Sequence, residues 1–248
     1  MGKHRPAGDQ DVRLFRNDVL NPGYRALVLG ASGGIGGAFA AAIKADPACG
    51  SVTELSRSLD GFDITDDAAV GSAAARLSDA DLKFDLILCA TGALVIDGNG
   101  PEKTIKAIQG DVMAAQFALN AIGPALALKH FAPLLSSEGK SVFATLSARV
   151  GSIGDNKLGG WISYRSAKAA LNQITRTSAI EIARLRPKSV VVAMHPGTVD
   201  TGFSGGFSKG HDRIQPAESV AMMLSVLDRL EPAQTGGFFA YDGQPIEW

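Results

Sequence analysis

Tyr164 and Lys168 stand four residues apart near the start of an Ala- and Ile-rich segment, Trp161 to Leu185, that Pro187 stops. On a helix this spacing puts both side chains on one face, a turn apart. A phenol titrates near pH 10, too high for efficient proton exchange at neutral pH. A neighbouring ammonium stabilises the phenolate and makes the tyrosine a usable general acid or base. Taken alone the pair means little, because Tyr and Lys are common on helices. It gains meaning from a second segment, Gly30-Ala31-Ser32-Gly33-Gly34-Ile35-Gly36. That segment lies between an aliphatic run, Arg25 to Leu29, and an alanine-rich helical stretch, Gly36 to Lys44. Glycines at Gly30, Gly34 and Gly36 permit a tight turn and close approach of the backbone to a pyrophosphate, with Ser32 and Ile35 between them. The free N–H groups opening the helix then face the phosphate charge. A tight strand–helix turn without a ligand is the plainer reading, and the strand-before, helix-after context favours dinucleotide binding.

The next aliphatic run, Val52 to Leu55, is expected to discriminate the two nicotinamide dinucleotides. An acidic residue at its carboxyl end would bind the adenosine ribose, and a basic one a 2′-phosphate. Glu54 falls within the strand, whereas Ser56 and Arg57 follow it, 20 and 21 residues after Gly36. A guanidinium flanked by hydroxyls suits a phosphate. NADP(H) is the cofactor expected, with NAD(H) second.

These groups need a scaffold, and the rest of the chain describes one. Short apolar runs, Phe84 to Cys89, Ser141 to Leu146, Val190 to Met194 and Phe238 to Tyr241, continue the strand series. Between them lie helical patterns: Asp66 to Leu77 capped by Thr65, most of Glu102 to Leu135, Trp161 to Leu185, and Pro216 to Leu230. Such alternation requires crossover connections and hence a mostly parallel sheet with helices on both faces. Unbroken runs such as Ala26-Leu27-Val28-Leu29 agree, since both faces of a central parallel strand are buried. The fold class expected is α/β, one doubly wound Rossmann-type domain over residues 25–248, preceded by an arm at residues 1–24. The 248 residues carry 24 basic and 25 acidic side chains, a net charge of −1, which argues against a nucleic-acid partner. Only Cys49 and Cys89 are present, each in apolar sequence, so reduced thiols of a cytoplasmic protein are expected rather than a disulfide framework or a metal site. The polar first 24 residues lack the apolar core of a signal peptide. No run of about 18 consecutive apolar residues occurs, so no membrane partner is expected.

The chain resembles the short-chain dehydrogenase/reductase family from about Tyr24 to its C-terminus. Segments Ser147 to Ile153, Gly159 to Asn172 and Tyr241 to Trp248 are most similar to its subgroup of C-factor and sniffer-type carbonyl reductases. The resemblance implies that Tyr164 and Lys168 are catalytic and bind cofactor, and that Asn120 holds a water in a proton relay. It implies cofactor contacts at Asp63 (adenine), at Ala90 and Gly92 of Ala90-Thr91-Gly92, and at Pro196, Gly197 and Thr201 over the nicotinamide. Ala90-Thr91-Gly92 stands where the family has Asn-Ala-Gly, a modest departure. A larger one concerns the family's catalytic serine, three residues before a glycine: counting back from Gly151 lands on Ala148. Either Ser147 polarises the substrate carbonyl after a small backbone shift, or Ser152 does, or the site works without it. We assign the role to Ser147. The expected activity is NADP(H)-dependent hydride transfer between nicotinamide and a small-molecule carbonyl or alcohol. A dinucleotide-binding signalling module with weak catalysis is the alternative, which Ala148 permits. A homodimer or homotetramer is expected from the surplus of small and apolar residues in Lys103–Leu135 and Trp161–Leu185.

His195, lacking a partner at metal or triad spacing, reads as structural. Arg149 and Arg165 either attract an anionic substrate or are solvated. Ser204 to Lys209, with Phe203 and Phe207, reads as a loop over the substrate pocket.

Overall fold

A computed structural model of the chain describes residues 20–202 and 213–248. The arm, apart from its last residues, and the loop with Phe203, Phe207 and Ser204 to Lys209 therefore lie outside the described residues. Six strands form one parallel sheet in the order β2-β1-β3-β4-β5-β6. They are β1 (Tyr24–Leu29), β2 (Cys49–Leu55), β3 (Leu86–Cys89), β4 (Ser141–Leu146), β5 (Ser189–His195) and β6 (Phe238–Ala240). All six expected strands are present, with ends displaced by up to three residues.

Alternation along each strand sorts the core into two layers, since successive side chains leave opposite faces of a sheet. Ala26 and Val28 pack with Phe39, Ile43, Met223 and Leu224 on one face. Leu27 and Leu29 pack with Val70, Ala127, Phe131 and Val191 on the other. The first layer is covered by α1 (Gly34–Lys44) and α7 (Pro216–Arg229), whose buried residues include Phe39, Ala40 and Ile43 at helical spacing. The second is covered by α3 (Asp67–Asp79), α5 (Gly123–Phe131) and α6 (Ile162–Leu185).

Sequence and structure differ in three local respects. A short helix, α2 (Arg57–Asp60), follows β2, capped by Ser56, whose Oγ accepts from the Leu59 N–H at 3.3 Å. Asp66, not Thr65, caps α3, because its carboxylate accepts from the N–H groups of both Ala68 and Ala69. Residues 102–109 carry no α-helix, and α4 (Gly110–Phe117) begins only at Gly110. A wide π-helical turn, Ala118–Ile122, joins α4 to α5, with Gly123 N–H bonding back to the Ala118 carbonyl five residues earlier. The segment Gly110–Leu134 is long and apolar enough, by length and composition, to cross a bilayer. Its inner residues, Ala127, Leu128 and Phe131, are packed on the sheet instead.

Strand order reverses between β1 and β3, the place where open parallel sheets bind ligands at their carboxyl edge. The turns leaving these two strands meet there. A Cβ on Gly30 would lie 3.1 Å from the Ala90 carbonyl carbon.

Candidate active site

The turn after β1 is built on two close approaches. Gly30 has φ +85°, a left-handed backbone, and a Cβ on Gly36 would fall 2.1 Å from the Gly30 carbonyl oxygen. Helix α1 can therefore start directly against the strand. Gly33 opens it without a side-chain cap, and its first turn holds no acidic residue. Its first N–H groups carry the positive end of the helix dipole and meet no competing carboxylate there. These residues fit a dinucleotide pyrophosphate. Gly34 and Ile35 line a cavity of about 690 Å³ at the carboxyl edge of the sheet, whereas Gly36 lies buried beneath the turn and Ser32 is exposed.

The opposite wall comes from β5. Pro196, Gly197 and Thr201 line the cavity, and a Cβ on Gly34 would touch the Thr201 methyl at 2.6 Å. The loop after β5 thus closes over the glycine turn. Ser219 of α7 anchors it by donating to the Pro196 carbonyl at 2.6 Å.

Tyr164 and Lys168 sit side by side in the cavity wall, 4% and 3% exposed, on the first turns of α6. Lys168 Nζ lies 5.8 Å from the centre of the Tyr164 ring and donates to the Leu146 carbonyl at 2.9 Å. The turn Arg149–Gly151 packs against the same helix, since a Cβ on Gly151 would be 2.8 Å from the Lys168 Cβ. Burial lowers Lys168 to about 8, with the nearby Cys89 thiol opposing. Burial also raises Tyr164 above the ordinary phenol value. In the protein by itself desolvation favours the neutral phenol, so Tyr164 stands as a proton donor.

Asn120 is fully buried in the wide turn. Its Nδ2 donates to the Ala93 carbonyl at 2.9 Å and to Gln116 Oε1 at 2.8 Å, and its Oδ1 accepts from the Ala93 N–H at 3.2 Å. Between it and Lys168 lies Gly92, where a Cβ would sit 2.9 Å from Asn120 Oδ1 and 3.4 Å from Lys168 Nζ. Ala90 and Gly92 line the cavity. Asn120 does not, and it reaches the site through the loop it holds.

Ser147 is a correction. It lines the cavity, but its Oγ donates to Asn172 Oδ1 at 2.5 Å, while Asn172 Nδ2 donates to the Gly151 carbonyl at 3.3 Å. The single hydroxyl proton is therefore directed at α6, away from a substrate carbonyl. Ser152 does not replace it: it is 2% exposed, and its Oγ accepts from the Asp155 N–H. Ala148 also lines the cavity, with a methyl group where the family pattern has a hydroxyl.

Ser56, Arg57 and Asp63 lie apart from this cavity, at the end of β2. Arg57, its side chain 70% exposed, pairs with Asp63 at 3.3 Å. Asp63 is held below the usual carboxylate range by hydrogen bonds from Thr65, then by Arg57.

Two features escaped the sequence. Trp161 adopts a left-handed backbone, φ +54°, just before α6, and its ring meets Tyr164 edge-on at 6.5 Å. Glu102 secures that entry: its carbonyl accepts from the Trp161 N–H at 2.6 Å and its carboxylate from the Ser163 N–H at 2.8 Å. No local pattern announces a cap supplied from about 60 residues away. His195, read as structural, stands in the cavity wall with Nδ1 buried and unpartnered among the described residues.

A family model described as enoyl-(acyl carrier protein) reductase matches residues 30–246. The chain belongs to the short-chain dehydrogenase/reductase family, a family of nicotinamide-dependent oxidoreductases. It is 32% identical to a 1-hydroxy-2-glutathionyl-2-methyl-3-butene dehydrogenase of Rhodococcus over 76% of this chain and 79% of that one. It is 35% identical to C-signal of Myxococcus xanthus over 66% of this chain and 98% of that one. Among solved structures, NADPH-bound carbonyl reductase from chicken fatty liver superposes with a TM-score of 0.80 at 26% identity, covering 91% of this chain and 94% of that one. The carbonyl reductase Sniffer of Drosophila melanogaster shares the fold with a TM-score of 0.76 at 20% identity, over 91% and 99% of the two chains.

Proposed function

We propose that the protein is an NADPH-dependent carbonyl reductase, working in reverse as an alcohol dehydrogenase. The observation that carries this reading is the buried Tyr164–Lys168 pair in one cavity with the glycine turn. The cofactor, when bound, supplies the hydride chemistry. Gly34 and Ile35 would hold its pyrophosphate, Lys168 its nicotinamide ribose, and the Pro196–Gly197 loop its nicotinamide. Tyr164 Oη gives its proton to the substrate oxygen as negative charge grows there. Lys168 stabilises the phenolate left behind and returns a proton to it from solvent, and Asn120 holds the Ala93 loop beside them. Ser147 acts by position, tying β4 to α6 through Asn172, so the carbonyl oxygen meets Tyr164 without the family's second hydroxyl.

Preference for the 2′-phosphorylated cofactor is supported by Ser56 and Arg57 just after β2, the guanidinium being 70% exposed although paired with Asp63. Carbonyl reductase with NADPH and a Burkholderia multivorans relative with NADP, at 26% and 27% identity, bear the same cofactor type. Assembly as a homodimer or homotetramer is supported by Gly110–Leu134, whose most apolar stretch is only 39% buried, and by exposed Ile122 and Ile180. The test of function is NADPH oxidation, followed by absorbance, against a panel of aldehydes, ketones and quinones. Turnover of a panel member supports the reductase. Tight NADPH binding without turnover of any supports the signalling module instead, a reading that Ala148 and the likeness to C-signal keep in view.

A further inference from the structure

The cavity is electrostatically lopsided. Among the described residues lining it, Arg149, Lys157, Arg165 and Lys168 are cationic and Asp155 alone is anionic, on a chain of net charge −1. Lys168 belongs to the proton-transfer pair. The other three come from the stretch between β4 and the start of α6, whose contacts run to α6, Glu102 and the C-terminal tail rather than to the glycine turn. Their charge is thus separate from the pyrophosphate cradle. Asp155 offsets part of this charge, pairing with Arg149 at 3.4 Å and acting at longer range on Arg165. Neither Lys157 nor Arg165 has a carboxylate within 4 Å among the described residues. Arg165 is pinned by donating to the neutral carbonyls of Gly160 and Val150, which leaves Arg149 and Lys157 as the cations of this stretch without such a tie among the described residues.

His195 adds a neutral donor to this group. It follows Met194, whose carbonyl accepts from the Ser147 N–H, so the imidazole lies beside the strand end that carries Ala148 and Arg149. Burial, then Arg149, hold it down to about 4, hence neutral at physiological pH. With Nδ1 sealed off, Nε2 is the nitrogen left to serve the cavity. A cleft lined by one sign of charge focuses its field on an incoming ligand of the other sign, and guanidinium suits a carboxylate by geometry as well.

We infer that the substrate carries a carboxylate remote from its carbonyl, held by Arg149 and Lys157 with His195 beside them, and that this charge selects the substrate. The inference names a substrate class for the reductase proposed above and rests on that reading. A matched pair of aldehydes tests it: 4-formylbenzoate against its uncharged near-isostere 4-formylbenzamide. The expected result at low ionic strength is a kcat/KM at least tenfold higher for the acid. That ratio should shrink with added salt, fall towards one in Arg149→Gln/Lys157→Gln, and survive largely in Arg149→Lys, with melting temperature and NADPH affinity confirming that each variant is folded. A ratio near one in the wild type, or one that outlasts the double substitution, overturns the inference. Calorimetric binding of 4-(hydroxymethyl)benzoate and of the corresponding amide to the NADP⁺-loaded protein separates the two proposals. Selective binding of the acid with no aldehyde turnover upholds the anion site and sinks the reductase; equal turnover of both aldehydes does the reverse.

Discussion

Restoring a hydroxyl at Ala148 tests the division of labour at the end of β4. Ala148 lines the cavity without a hydroxyl, while Ser147 commits its proton to Asn172. A single preorganised donor to a developing oxyanion is worth about 2.7–4 kcal/mol, or roughly 10²–10³ in kcat. Ala148→Ser should therefore raise kcat for carbonyl reduction by at least about tenfold, with the donor's full worth as the ceiling. Ser147→Ala should do something different. It leaves Asn172 Oδ1 buried without a donor, at a cost of about 1–3 kcal/mol, and releases one tie holding the Arg149–Gly151 turn on α6. In a chain of this size that lowers the melting temperature by several degrees, at about 2–4 °C per kcal/mol. Steady-state kinetics with NADPH in excess, paired with thermal unfolding, separate the two effects. An inert Ala148→Ser, together with a Ser147→Ala that loses more than about 10²-fold in kcat at unchanged melting temperature, would show Ser147 to be the donor and refute the reasoning.

Three further outcomes are expected. Reduction should fall as pH rises through about 8, because Lys168 leaves its ammonium form there; a kcat/KM profile flat from pH 6 to about 10, the span over which that charge is lost, would remove lysine from the proton path. Arg57→Ala should weaken NADPH by roughly 10- to 100-fold, the loss of one charge-assisted contact of about 1.5–3 kcal/mol, and leave NADH affinity nearly unchanged. Titration by nicotinamide fluorescence reads both. Glu102→Gln keeps an acceptor for Ser163 but removes the negative charge at the start of α6, and should cost about 0.3–1 kcal/mol in urea unfolding.

Much of this architecture was legible along the chain, and the reasons are local. Strands such as Ala26 to Leu29 and Val190 to Met194 are unbroken aliphatic runs because both their faces are covered. The glycine turn was readable because Gly36 must approach the Gly30 carbonyl more closely than any side chain allows. The Tyr164–Lys168 pair was readable because both lie on one helix. What was hidden depends on residues distant in sequence. Glu102 caps α6 from across the fold, and the start of α4 at Gly110 leaves residues 102–109 free to reach it. Asn172 decides where the Ser147 proton points, 25 residues from that hydroxyl. The acidity of Tyr164 follows from burial, which a one-turn spacing does not report. His195 showed no partner in the sequence, and only the pairing of β4 with β5 puts it in the cavity wall.

The whole mechanism stands on a neutral, buried phenol that supplies the proton when hydride reaches the carbonyl carbon. Tyr164→Phe removes that proton and keeps the ring that meets Trp161 edge-on. Single-turnover NADPH oxidation, with a carbonyl substrate the wild type reduces, should slow by about 10²–10⁴-fold while the Kd for NADPH stays within about twofold. NADPH oxidation by the Tyr164→Phe protein at the wild-type rate would show that the proton comes from elsewhere.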